Sequence, residues 1–413
     1  MMRPIHTLGA WLSLMSLPGL MLGAAAADAA GPALCPRQEL TVAEKAHEAH
    51  VSAPAVAVAA DGRIVLAWFA QQGHDNHLFV ARPGSAPARV NPDGLFVDSL
   101  HQAPGLALGP DGEVYVSWSS RKPPPEGALF ASDLRLSRSL DGGQTFDAPL
   151  RVNEDRPISH SFEGLGVLPD GTVVMSWIDS REGPGASATY VARIAERGSR
   201  VAQALKLDAG ETCVCCRIDI AAGPRDTVAV AWRKVFPGSI RDMVVGLSRD
   251  GGRSFAPAGL AHADRWKINA CPHRGGSVAT DGRGRVYLAW YTETADGQPR
   301  MLFTVADAHL KFRAPSSLNA ATGSIPDQVR LAADPAGRVV IVWEEATAAR
   351  RRVLLRYSTD GGRTLSAPQS MSEAVKAYAP DVATAPGGEF VVAWQEEPFP
   401  ALRTVTRTLK LPK

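Results

Sequence analysis

With 413 residues, 45% of them hydrophobic and 21% charged, the chain has the composition of a folded globular protein with a large core. Its formal net charge of +2 offers no electrostatic basis for nucleic-acid binding, so DNA and RNA are excluded as expected partners. After residue 30 no segment approaches the eighteen uninterrupted apolar residues that a membrane-spanning helix needs.

In chain order, residues 1–30 have the features of a secretory signal. Arg3 is a short positive region, Trp11 to Leu22 an apolar run, and Ala24 to Ala30 a set of small-residue cleavage sites. The mature chain is expected to begin between Ala27 and Gly31 and to be periplasmic or secreted. Cys35 follows Leu34, where a lipid-modified cysteine would follow a small residue, so a lipoprotein is not expected.

The remainder, residues 31–413, reads as one repeating domain. A turn followed by a β-branched run ending in tryptophan recurs at Trp68, Trp118, Trp177, Trp232, Trp290, Trp343 and Trp394, spaced 50 to 59 residues apart. That period is the length of a four-stranded propeller blade. Asp61-Gly62, Asp111-Gly112 and Asp170-Gly171 open the first three copies, with apolar strands on either side. The expected fold is all-β, a β-propeller of seven four-stranded antiparallel blades, with six as the alternative. The tryptophans are expected to pack between blades. The last copy lacks a strand, and Glu39 to Val42 is expected to close the ring by supplying it.

Three copies carry a second element: Ser139-Leu140-Asp141-Gly142-Gly143-Gln144-Thr145-Phe146, Ser248 to Phe255 around Asp250-Gly251-Gly252, and Ser358 to Leu365 around Asp360-Gly361-Gly362. Elsewhere Tyr190 to Val201 and Met301 to Phe312 read as outer strands without it. These octapeptides resemble the Asp box of the sialidase superfamily. The resemblance spans residues 50 to 400 and implies a structural turn between the two outer strands, opposite the face that carries function. It also implies a glycosidase alternative acting on a terminal acidic sugar, with Tyr291 as nucleophile, Glu344 activating it, and Arg181 and Arg233 binding the substrate carboxylate. Two departures stand against that alternative. Sialidases have six blades, and no early Arg-Ile-Pro or Arg-Leu-Pro supplies the family's first carboxylate-binding arginine.

Cysteine and histidine point to a different chemistry. Counting ten residues back from each strand-connecting turn gives Val51, His101, His160, Cys215, Cys271, Ser324 and Ala377, so four successive blades carry His, His, Cys and Cys. Nitrogen and sulfur ligands on separate blades suit zinc or copper, with Cys213, Cys216 and His273 as supplementary ligands, for metal handling or the redox chemistry of a metal-dependent oxidoreductase. A disulfide from Cys215 or Cys216 to Cys271 is the alternative use in an oxidising compartment. His47, His50, His74 and His77 share no register and are assigned no role. No Cys-x-x-Cys-His is present, so c-type haem is excluded, and no nucleotide cofactor is expected. Loops after the tryptophans add Arg121, Asp179, Arg181, Arg233, Tyr291, Glu293, Glu344, Glu345 and Glu396, with Arg217 and Arg274 beside the cysteines. These read either as a charged, solvated rim or, through the arginines, as an anion site. The expected ligand at the mouth is a metal ion, a small molecule or a glycan. A non-catalytic interaction scaffold is the remaining alternative.

Overall fold

The computed structural model describes residues 31–43, 50–98, 102–122, 130–183, 185–319 and 323–412. The expected signal segment and His101 lie outside them.

Seven antiparallel sheets follow one another along the chain, each running from a channel-side strand outwards. The sixth blade shows the pattern: Ile325–Ala333, Val339–Ala346, Arg351–Ser358 and Gln369–Ser370. Two-residue periodicity places one side of each strand against the preceding blade and the other against the following one. Both sides are therefore buried, and the second strands read as nearly continuous apolar runs such as Val173–Asp179.

The repeat tryptophans are all 3% exposed or less. Trp118 packs with Phe69 and Val80 of the first blade, Trp177 with Leu134 and Leu136 of the second, and Trp343 with Tyr287 and Phe303 of the fifth. Trp68 closes the circle against Val391 and Ala393 of the seventh blade. Each is thus the wedge between its own blade and the one before it.

The ring closes as the sequence predicts. Gln38–Ala43 pairs antiparallel with Leu402–Lys410, from Gln38 opposite Thr406 to Ala43 opposite Leu402, with Ala33–Leu34 extending the pairing to Lys410. Cys35 belongs to this clasp, its amide donating to the Thr408 carbonyl. An Arg37 to Glu396 ion pair at 2.7 Å and one from Arg403 to Glu39, also 2.7 Å, reinforce it.

The Asp boxes are folding devices. Asp141 Oδ1 accepts from the amides of Gln144 and Thr145 at 2.9 Å, and Oδ2 accepts from Thr145 Oγ1 at 2.6 Å. Ser139 Oγ accepts from the Gly143 amide at 2.8 Å. The same pattern recurs around Asp250 and Asp360. Hydrogen bonds from the Thr145 side chain and amide hold the Asp141 carboxyl well below the usual carboxylate range. The Gly251 amide donates to the Asp226 carbonyl in the turn joining the first two strands of the same blade, so box and turn share one face. Gly143, Gly252 and Gly362 each rest on the preceding blade, at Val80, Val174 and Val305. Boxes in the second, fourth and sixth blades thus clasp the first, third and fifth.

Candidate functional site

The turns joining first to second strands fix the register of the opposite face. The amides of Ala59, Gly109, Leu168, Gly223, Asp281 and Asp334 donate to the carbonyl four residues on, and Ala385 pairs with Glu389 in the seventh blade. Eight residues before these positions stand Val51, His101, His160, Cys215, His273, Pro326 and Ala377. Two positions expected from the sequence are therefore corrected. Asp281-Gly282 is not the reversal of the fifth blade, which lies at Arg283-Gly284, so His273 replaces Cys271 in the ring. In the sixth blade Pro326 replaces Ser324 for the same reason.

His160 is fully buried and committed. Its Nδ1 lies 2.7 Å from the Ser132 carbonyl oxygen and 3.3 Å from Asn153 Nδ2, both in the second blade, and its Nε2 lies 3.9 Å from Asp179 Oδ2. Burial pushes its pKa down. The structure does not bring it to the cysteines.

Three of the cysteines do converge. After Glu211–Thr212 the chain leaves its strand in a tight turn, with the Cys216 amide donating to the Cys213 carbonyl at 3.2 Å. This turn draws the thiols of Cys213, Cys215 and Cys216 inward onto Val235, all three cysteines being 5% exposed or less. The Cys213 Sγ is 3.0 Å from that of Cys216 and 3.7 Å from that of Cys215. No disulfide links them. Among the described residues this is the one group of three or more His, Cys, Asp or Glu side chains with ligand atoms within 4.8 Å of each other. Arg241 Nη1 donates to Cys213 Sγ at 3.2 Å. Hydrogen bonds with Cys215 and Cys216, together with Arg241, push the Cys213 thiol down, while its bond to Cys213 pushes Cys216 up to about 11. Cys271 is exposed and free, so the alternative disulfide to Cys215 or Cys216 is not formed.

The segment carrying Cys271 and His273 is held over the fourth blade by two arginines. Arg233, completely buried, donates to the carbonyls of Arg241 at 2.9 Å, Tyr291 at 2.6 Å and Arg274 at 3.3 Å, and its guanidinium lies 4.8 Å from the Trp266 ring. Arg241 donates to the Ala270 carbonyl at 2.7 Å as well as to Cys213. Arg233 is thus spent on backbone and has no face for a substrate carboxylate. Gly275 completes the approach, because a Cβ there would stand 2.2 Å from the Arg217 carbonyl oxygen.

The residues cast as glycosidase machinery do not assemble into one site. Arg181 lies along Asp179, 3.9 Å above the Tyr190 ring, at the outer side of the third blade. Glu344 is buried between the sixth and seventh blades, accepting from Arg351 and from the Ala379 amide at 2.7 Å, and burial raises its pKa. Tyr291 does have a carboxylate partner, Glu293 at 2.6 Å, and Arg274 stacks 4.1 Å over its ring while reaching Asp327 at 3.1 Å. Burial and the bond to Glu293 push this phenol above its usual range. Much of the expected rim is interior as well. Asp179, Glu345 and Glu396 accept from the indole N–H of Trp177, Trp343 and Trp394.

The three thiols are soft donors of the kind zinc and copper take. Tetrahedral thiolates around zinc stand about 3.8 Å apart, close to the 3.7 Å between Cys213 and Cys215 and wider than the 3.0 Å between Cys213 and Cys216. Neither Cys271 nor His273 has a ligand atom within 4.8 Å of all three thiols. Several thiolates on one divalent ion leave excess negative charge, which Arg241 is positioned to offset. Arg241 carries no sequence signal, since it lies one blade strand away from the cysteines it serves.

Comparison with solved structures gives the fold its relatives. An ulvan lyase of polysaccharide lyase family PL25 matches with a TM-score of 0.59 at 10% identity, over 89% of this chain and 95% of that one. A protein of unknown function from Dyadobacter fermentans matches at 0.54 and 13% identity, over 92% and 100%. The NanB sialidase of Streptococcus pneumoniae matches at 0.51 and 8% identity, over 91% and 95%. The chain is therefore a sialidase-like propeller in fold. No protein-family model and no curated protein matches the sequence.

Proposed function

We propose that this is an exported propeller that binds a soft transition-metal ion, copper(I) or zinc, through Cys213, Cys215 and Cys216, with Cys271 or His273 as a further ligand. The observation that carries the reading is the convergence of three buried thiols at 3.0 and 3.7 Å beside a guanidinium. Arg241, which also holds the Ala270 carbonyl, stands where it would offset the charge of thiolates gathered on an ion. Thiolates select copper(I) and zinc over harder ions, and the exposed Cys271 and half-exposed Val214 mark where an ion reaches the site. The 3.0 Å spacing of Cys213 and Cys216 also supports a redox role, in which an external disulfide is reduced to two thiols as this pair loses its two protons and two electrons and forms an S–S bond.

Cobalt(II) titration tests the reading, since thiolate-to-cobalt charge transfer reports the ligands directly. A near-ultraviolet band saturating at one equivalent is expected, abolished in Cys213→Ser with Cys216→Ser. No band, or one that survives both substitutions, contradicts it.

A second reading, cleavage of an acidic glycan, is favoured by one observation, the short Tyr291 to Glu293 hydrogen bond next to Arg274. Turnover of a fluorogenic sialoside that is lost in Tyr291→Phe would support it, and silence across a panel of acidic glycosides would remove it. If both assays are negative, a non-catalytic scaffold remains.

A further inference from the structure

The central channel contains a cavity of about 220 Å³ bordered by the first strands of all seven blades. Four residues before each turn stand Ala55, Gly105, Gly164, Asp219, Ser277, Arg330 and Asp381. Blades one to three thus contribute no polar side chain at this level, and blades four to seven contribute four.

These four are engaged by their neighbours. Asp219 Oδ2 accepts from Ser277 Oγ and the Val278 amide, each at 2.8 Å, and Ser277 Oγ accepts from the Leu331 amide at 3.1 Å. Asp381 Oδ2 accepts from the Val56 amide at 2.8 Å, and its Oδ1 lies 3.6 Å from Arg330 Nε. The belt therefore joins blade to blade through the carboxylates' bonds to main chain.

Arg217 stands two residues nearer the mouth and is left out of this belt. It is 6% exposed and lines the cavity, yet its guanidinium forms no hydrogen bond or ion pair with any described residue, and its Nε is buried without a partner. A buried cation with no acceptor is costly, and proteins ordinarily pair it. Its charged surroundings are Arg330, Asp327, Asp219 and Asp381. Two residues deeper than the belt every blade has Ala or Gly, from Ala57 to Ala383, so no acceptor waits below.

We propose that the central channel binds a small monovalent anion, a halide or a short carboxylate, held by the guanidinium of Arg217 with Arg330 at its side. Arginine presents several N–H donors to such an ion, while the carboxylates that share the cavity are engaged elsewhere, Asp219 and Asp381 by main-chain amides and Glu163, through one oxygen, by Gln102. The cavity of about 220 Å³ has room for such an ion together with water. This inference is independent of the thiol site.

Crystals of the full protein grown in sodium bromide test it through anomalous scattering. A bromide peak within hydrogen-bonding distance of the Arg217 guanidinium is expected. Adding sodium formate separates the two sources, because displacement of bromide identifies a site that also takes carboxylates, and retention identifies a halide site. In solution the wild-type melting temperature should rise with bromide at constant ionic strength, and Arg217→Met should show no such rise. Should Arg217→Met fail to fold, Arg217→Lys serves instead, with a weakened bromide response expected. Ordered water alone at Arg217, or an equal bromide response in wild type and variant, overturns the proposal.

Discussion

Glu163 offers a quantitative test of how the channel is built. It is 6% exposed, with Oε2 accepting from Gln102 at 2.8 Å and Oε1 buried without a partner. Burial pushes its pKa up from 4.5 to about 7. Between those values the folded chain holds a proton that the unfolded chain has released. Unfolding therefore releases a proton, and stability falls as pH rises from about 4.5 to 7. A shift of this size corresponds to about 3 kcal/mol lost once the pH exceeds 7. Glu163→Gln is neutral throughout and keeps an oxygen for Gln102. It should match wild type near pH 4.5 and exceed it by about 3 kcal/mol at pH 8. Urea unfolding of both proteins at the two pH values measures this, because groups common to both cancel in the difference. If the gap between wild type and variant is the same at both pH values, Glu163 is not a desolvated acid and the description of the channel is wrong.

Other expectations follow from packing and from the thiol site. Trp343→Ala removes the wedge between fifth and sixth blades and should cost about 3–5 kcal/mol by urea unfolding, against less than half of that for Trp343→Phe. Gly362→Ala forces a Cβ to 2.5 Å from Val305 at a φ of +73° and should destabilise by about 1–3 kcal/mol, visible as a lower Tm. Arg233→Lys keeps the charge but cannot reach three carbonyls at once, so it should lose about 2–4 kcal/mol and loosen the segment that carries Cys271. Faster alkylation of Cys213 in that variant, at a pH where the wild type resists, is the check.

The architecture was legible because it is periodic. Seven tryptophans at blade spacing mark seven interblade wedges, and the closing strand appears at Gln38–Ala43, where the missing strand of the last copy is expected between Glu39 and Val42. The ring of functional positions was less legible because it depends on locating a turn to the residue. Asp281-Gly282 mimics the Asp-Gly of earlier copies, yet the hydrogen-bonded reversal follows it, and this exchanges Cys271 for His273. The inward collapse of Cys213, Cys215 and Cys216 is a local turn that no period encodes. Asp179, Glu345 and Glu396 read as rim charges because sequence shows their type and not their partner, the indole two residues before each. The same register count, made four residues before the turn, would have exposed the belt of Asp219, Ser277, Arg330 and Asp381. Arg217 then stands out for its lack of a partner, which only coordinates reveal.

The direct test of the central claim is the metal content of protein isolated from expressing cells without chelator, measured together with its free thiols. The account predicts about one equivalent of copper or zinc per chain, with Cys213, Cys215 and Cys216 protected from alkylation until the metal is stripped. Protein free of metal, with Cys213 joined to Cys216 or with Cys215 or Cys216 joined to Cys271 as a disulfide that survives mild reductant, would contradict it.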